Sequence, residues 1–159
     1  MVFIHIIIIT GGDSWDITSA PMAPSQPNWA WISVASDSSG MYLAAAQGGV
    51  DYDDYSGGIY TSTSGGSMWA LTSAPTSRWV SIKSDSTGQY LAAVQGYNSE
   101  SGSGIYVSTN YGSEWSLTSA PLATTNNQWR WSSVAIDGTG QYLAATQENG
   151  RVYTSTNGK

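Results

Sequence analysis

Residues 104–121 read GIYVSTNYGSEWSLTSAP and residues 58–75 read GIYTSTSGGSMWALTSAP, so the chain repeats itself. A divergent copy covers residues 6–21, IIIITGGDSWDITSAP, and a partial one covers residues 150–159, GRVYTSTNGK. Each copy is a β-rich run, a tight Gly-containing turn and a second run ending in Thr-Ser-Ala-Pro, the pattern of a strand hairpin. A second module lies between the copies: WISVASDSSGMYLAAAQ (31–47), WVSIKSDSTGQYLAAVQ (79–95) and WSSVAIDGTGQYLAATQ (131–147).

The spacing of these modules sets the architecture. Trp31, Trp79 and Trp131 are 48 and 52 residues apart, and Asp37/Asp85/Asp137 and Gly40/Gly88/Gly140 keep the same intervals. Trp15, Trp69 and Trp115 mark the other module, 54 and 46 residues apart. A period near 50 residues built of four short strands is the length of one blade of a β-propeller. In the first unit the pattern predicts strand A over 31–36, strand B over 42–47, strand C over 59–63 and strand D over 68–72. The Asp-x-x-Gly between A and B supplies a side-chain acceptor for the turn backbone and a residue that tolerates positive φ. Alanines at the centre of strand B, on both sides of the pleat, predict a sheet closely covered on both faces. No segment holds a 3.6-residue apolar period over three turns, which excludes a helical solenoid.

Composition agrees. The 159 residues suit one domain with a real core, and 10% charged residues is far below the roughly 25% of an average globular chain. Eighteen Gly, eight Trp and ten Tyr against one Phe are the materials of short strands and tight turns. A net charge of −6 argues against a phosphate-binding surface, so nucleic acid is not an expected partner. There is no cysteine, which removes disulfides and thiolate metal sites and leaves the compartment open. The apolar start, residues 1–9, lacks a basic n-region and a small-residue cleavage site and is too short to span a bilayer, so no membrane partner is expected. It reads as a strand, and its run of Ile would be an adhesive edge if unpaired.

The C–D hairpin resembles the Asp-box, the bacterial neuraminidase repeat of sialidase-type β-propellers, whose motif runs roughly S-x-D-x-G-x-T-W. Here it appears as STSGGSMW (62–69), STNYGSEW (108–115) and a partial STNG (155–158). The namesake Asp is replaced by Ser64, Asn110 and Asn157, and by Thr10 in the first copy. The resemblance implies an all-β propeller of four-stranded antiparallel blades, with the motif as a structural turn remote from any active site. Related repeats also build interaction scaffolds, such as photosystem assembly factors and sorting-receptor propellers.

Strand counting gives blades at about 29–75, 76–121 and 122–159, the last without its own strand D. Residues 14–21 then stand as a closing or leftover outer strand. Three blades fall below the usual four to eight. The chain is therefore expected to be half of a six-bladed ring completed by a second copy, or a fragment of a longer propeller. In a homodimer each N-terminal strand D would finish the partner's third blade, an exchange under two-fold symmetry.

In an up-and-down blade the A–B and C–D turns share one face and the D–A and B–C connections share the other. The latter diverge between units, and divergence within a strict repeat is where function resides. They carry the candidate ligand-binding residues Asn28, Trp29, Tyr52, Tyr55, Arg78, Tyr97, Asn98, Asn127, Trp129 and Arg130. Flat aromatic faces beside amide groups suit a neutral glycan, and the same composition suits a protein partner. A non-enzymatic, lectin-like surface is the leading reading, and a protein-interaction scaffold is the alternative. The sialidase resemblance adds a third, a glycoside-hydrolase fragment in which Arg78, Arg130 and Arg151 clamp a carboxylate. Against it, Ala30 holds the equivalent position in the first unit, and no tyrosine nucleophile or acid/base pair can be placed. The acidic run Asp51-Tyr52-Asp53-Asp54 matches no calcium loop, and His5 has no partner in sequence, so no metal or cofactor is expected.

Overall fold

A computed structural model describes residues 15–21, 29–49, 57–96, 103–122, 130–148 and 150–158. Among them are eleven strands and no helix. Blade one comprises β1 (Trp29–Ser36), β2 (Leu43–Gly49), β3 (Ile59–Ser62) and β4 (Ala70–Leu71). Blade two comprises β5 (Trp79–Ser84), β6 (Leu91–Gln95), β7 (Ile105–Ser108) and β8 (Ser116–Leu117). Blade three comprises β9 (Trp131–Ile136), β10 (Leu143–Gln147) and β11 (Val152–Ser155). Each sheet is an antiparallel meander in chain order, as the repeat predicts.

Several strand limits differ from the expected ones, and side-chain chemistry explains each. Strand B starts at Leu43 because the Tyr42 amide is held in the preceding turn, donating to Asp37 Oδ1 at 3.0 Å. Strand C ends at Ser62 because its hydroxyl turns the chain, accepting from the amides of Ser64 (3.2 Å) and Gly66 (3.0 Å). Strand D shrinks to Ala70–Leu71 because Met68 N donates to Ser64 Oγ and the Trp69 indole to Gly66 O. Blade two repeats this turn, with Asn110 Oδ1 accepting from Glu114 N at 2.9 Å and the Trp115 indole donating to Gly112 O at 3.1 Å. Ser64 and Asn110 thus do the same accepting job with different oxygens. At the other limit β1 begins at Trp29, paired with Gly49, so Trp29 is a strand residue and not the loop residue the sequence suggested.

A register shift follows each strand-A tryptophan, between Trp31 and Ser33 and between Trp79 and Ser81. Strict alternation would put Trp79 and Ile82 on opposite faces; the extra residue brings them to one face. Both then join one core cluster with Ala44, Ala46 and Ile59 of blade one. Trp131 and Val134 enter a second cluster with Ala92, Val94 and Ile105 of blade two. The strand-B alanines of blades one and two are buried on both faces of the pleat, so large rings from the following blade lie on a small-residue floor. Truncating a ring buried like Trp79 costs about 3–5 kcal/mol.

The two ends of the blades are fastened differently. At one end the A–B turn is closed by the strand-A aspartate: Thr139 Oγ1 donates to Asp137 Oδ2 at 2.6 Å and Tyr142 N to Oδ1 at 2.9 Å. C–D turns share this end, with Gly65 N donating to Met41 O, Tyr111 N to Gln89 O and Gly158 N to Gln141 O. Neighbouring blades are stitched there by Ser38 Oγ to Ser86 O (2.8 Å) and Ser86 Oγ to Gly138 O (2.6 Å). The D–A and B–C connections meet at the opposite end, where Ser77 N donates to Gly57 O.

Two predictions follow from this turn end. Gly88 has φ +79°, and a Cβ there would lie 2.5 Å from Tyr42 Cβ of blade one, whereas at Gly40 (φ +76°) it would meet nothing within 4 Å. Thermal melts should show Gly40→Ala costing about 1–2 kcal/mol for the left-handed backbone alone. Gly88→Ala should cost about 2–5 kcal/mol once the clash is added. Equal losses would contradict the blade packing. The hydrogen bond from Thr139, then those from the backbone, hold the Asp137 carboxyl at about 2 against an ordinary 3.8, despite some desolvation. A depressed folded-state value means its contribution is full above pH 4 and is lost as pH falls toward 2. Asp137→Asn should flatten that part of the acid-denaturation curve, read by circular dichroism.

Candidate functional site

The candidate surface is the end of the blades where the varied connections emerge. Arg78 and Arg130 sit there in equivalent places, one residue before β5 and β9. Their main-chain carbonyls accept from Gly96 N and Glu148 N, both at 2.8 Å, closing the strand A–strand B ladder. This fixes where each arginine leaves the sheet. Arg130 Nε approaches Glu148 Oε2 at 3.8 Å, with both side chains partly exposed. The anion clamp imagined for these arginines is thereby weakened, because Arg130 already faces a carboxylate of its own blade. Arg151 is exposed immediately before β11.

Trp29 opens β1 and stands at the same end. Asn28, Tyr52, Tyr55, Tyr97, Asn98, Asn127 and Trp129 lie outside the described residues, as do Asp51, Asp53, Asp54 and His5. Among the described residues no group of three or more His, Asp or Glu could hold a metal ion.

Sequence reading passed over a layer of polar groups just beneath this surface. Gln47, Gln95 and Gln147 hold equivalent places near the end of strand B in the three blades, and all are buried. Gln95 Oε1 accepts from Gly104 N at 3.2 Å, and Ser103 Oγ donates to Gly96 O. Gln47 Oε1, Gln147 Oε1, Ser77 Oγ and the indole N–H groups of Trp79 and Trp131 have no hydrogen-bond partner among the described residues. A signal was available, since glutamine recurs at one repeat position after an alanine-rich strand. Its burial was not, because it depends on the neighbouring blade.

Five of the six described carboxylates have other work, Asp16 being exposed in the N-terminal segment. Asp37, Asp85 and Asp137 are bound into turns at the opposite end, each accepting the amide of the following tyrosine at 2.9–3.0 Å. Burial raises the Asp37 carboxyl, but hydrogen bonds from Ser39 and from backbone amides outweigh it and leave it below its ordinary value. Glu148 stands by Arg130, and Glu114 Oε2 accepts from Asn110 Nδ2 at 3.4 Å.

No protein-family model matches the sequence, and no curated protein matches it. Solved structures do. A GH74 xyloglucanase from Xanthomonas campestris superposes with a TM-score of 0.63 at 19% identity, over 88% of this chain and 22% of that one. A GH74 enzyme from Niastella koreensis gives 0.60 at 20% identity, over 80% and 21%. A nidogen/laminin complex gives 0.58 at 14% identity, over 82% and 45%. These likenesses, with three meandering sheets and no helix among the described residues, define the class: an all-β chain of propeller blades. The chain spans about a fifth of the length of the GH74 enzymes it resembles.

A partly exposed ion pair at 3.8 Å contributes little to folding. Arg130→Ala and Glu148→Ala should each shift unfolding by less than about 1 kcal/mol in urea titrations. Arg130 can therefore be varied in binding experiments without unfolding the blade.

Proposed function

We propose that this chain contributes a non-catalytic ligand-binding face, made by the D–A and B–C connections, that recognises a neutral glycan. One observation carries the reading: among the described residues, the buried polar side-chain atoms left without a partner collect at this end. The opposite end spends its aspartates and hydroxyls on repeated turn bonds. At the connection end, indole N–H donors and glutamine carbonyl acceptors remain beneath a surface whose sequence is rich in Trp, Tyr and Asn. Alternating donors, acceptors and flat rings is what a sugar's hydroxyls and C–H faces require. Glycosidic hydrolysis needs two carboxylates facing one bond, whereas Asp37, Asp85, Asp137 and Glu114 are bonded into turns at the opposite end and Glu148 stands beside Arg130. A binding role fits better than a hydrolytic one. The likeness to a xyloglucanase makes xyloglucan oligosaccharides the first ligands to try.

A protein partner is the second reading, favoured by the likeness to a structure in which nidogen and laminin form a complex. Calorimetry against xyloglucan oligosaccharides and a glycan array separates the two. Binding that is lost in Trp29→Ala and Trp129→Ala, with the circular dichroism spectrum unchanged, is the expected result. No sugar bound at millimolar concentration sinks the glycan reading. Reducing sugar released by the wild-type chain would overturn the non-catalytic assignment.

A further inference from the structure

The strongest unexplained feature lies away from that face, in a groove of about 530 Å³ between blades two and three. Its walls include Ile105, Leu117 and Ala120 of blade two and Leu143, Tyr153 and Ser155 of blade three. The equivalent place between blades one and two is filled. There Trp115 of strand D packs into the shared core and lies 6.4 Å from Trp79, which also meets Tyr106 at 5.5 Å. Blade one has the same trio, Trp31 with Tyr60 (5.4 Å) and Trp69 (6.5 Å). Blade three has Trp131 against Tyr153 at 5.2 Å and no third ring among the described residues.

A ring of the right kind stands unused on the far side of the chain. Trp15, equivalent to Trp69 and Trp115 in the repeat, is 80% exposed. The residues after it are already in their strand-D places. Ala20 N donates to Thr18 Oγ1 at 3.0 Å, matching Ala74 to Thr72 (3.2 Å) and Ala120 to Thr118 (3.3 Å). Ser19 Oγ donates to Ser67 O of blade one at 2.6 Å, as Ser73 Oγ of blade one does to Ser113 O of blade two at 2.8 Å. Residues 15–21 are thus docked as the outer strand of a blade preceding blade one. They do not close blade three of their own chain.

The flanking faces match as well. Ile59 and Ile105 face the next blade and are 0% and 6% exposed, while Val152 in the same position is 69% exposed. Trp31 and Val34 are exposed where their equivalents Trp79, Trp131, Ile82 and Val134 are buried. Blade three presents the floor of a blade junction and blade one presents the rings that cover it.

We infer that these 159 residues associate with a second copy of themselves, whose blade one docks on blade three and whose residues 15–21 take the strand-D place there, with Trp15 in the groove. The register is fixed by the repeat. Tyr60 pairs with Leu71 and Tyr106 with Leu117, so Tyr153 faces Ile17 of the second copy. Thr61 pairs with Ala70 and Val107 with Ser116, so Thr154 faces Asp16 of the second copy. Two such junctions related by a two-fold axis close a ring of six blades.

Light scattering on the 159-residue chain should give twice the 16.8 kDa chain mass. Trp15→Ala removes an exposed ring and should leave each chain folded while weakening the dimer at least tenfold. Val152→Arg should do the same from the other side, and mixing the two variants should restore part of the association, because one junction then has both good halves. The chain has no cysteine, so oxidising the double variant Asp16→Cys/Thr154→Cys should yield a covalent dimer and no other cross-link. A monomer at micromolar concentration, or a dimer insensitive to both Trp15→Ala and Val152→Arg, would overturn the inference. So would a monomer whose groove fills only when a synthetic strand-D peptide is added, since a second copy would then not be its occupant.

Discussion

A sheet that is apolar on both faces must be covered twice, and nearly everything in this molecule answers to that requirement. The alanine-rich strand B sits in the middle of each blade, too small to fill space and too apolar to face water. What covers it is a tryptophan from strand A of the following blade, brought to the correct face by the irregularity one residue after it. The junction is directional, with large rings on one side and a small-residue floor on the other. Direction is what makes the blades stack in sequence order around an axis, and among the described residues it leaves Trp31 and Val34 exposed on blade one and Val152 exposed on blade three.

The division of labour between the two ends of the blades has the same origin. Turns that approach the next blade closely must be short and uniform, so their aspartates, serines and threonines bond inward and their glycines take the left-handed region. Gly140 makes this concrete: it has φ +74°, and any side chain would run into the ring of Tyr90 from blade two. Tyr111 is the informative exception, with φ +59° in the place of Gly65, and its ring stacks on Tyr42 of blade one at 4.9 Å between centroids. Aromatic contact of that kind offsets the backbone cost of about 1–2 kcal/mol. The connections at the other end carry no such obligation. They are free to vary, and they do.

The solved neighbours of these blades include GH74 enzymes, one of them a xyloglucanase, and a complex of nidogen and laminin. A fold shared at 14–20% identity says how the blades are built and leaves their chemistry to the connections. That separation is visible within the chain itself. Residues common to all three units belong to turns and core, whereas Arg78 and Arg130 share a position but enter from connections of different sequence, and Arg130 stands 3.8 Å from Glu148.

Much was legible in the sequence because the repeat displays its period three times. Trp31, Trp79 and Trp131 announced the blades, strand B announced two-sided burial, and Asp37, Asp85 and Asp137 announced the A–B turns. Strand ends were less legible, since Ser62, Ser64 and Asp37 capture neighbouring amides through side chains and cut the ladders short. Of the candidate site, the sequence could name the divergent connections and place the arginines, but it put Trp29 in a loop and passed over Gln47 and Gln147. Local pattern determines which residues alternate, turn and repeat, because those preferences act within a few bonds. Only the tertiary structure decided which faces are satisfied. Whether Val152 is covered or Trp15 is docked depends on a neighbouring blade, and no stretch of sequence carries its neighbour with it.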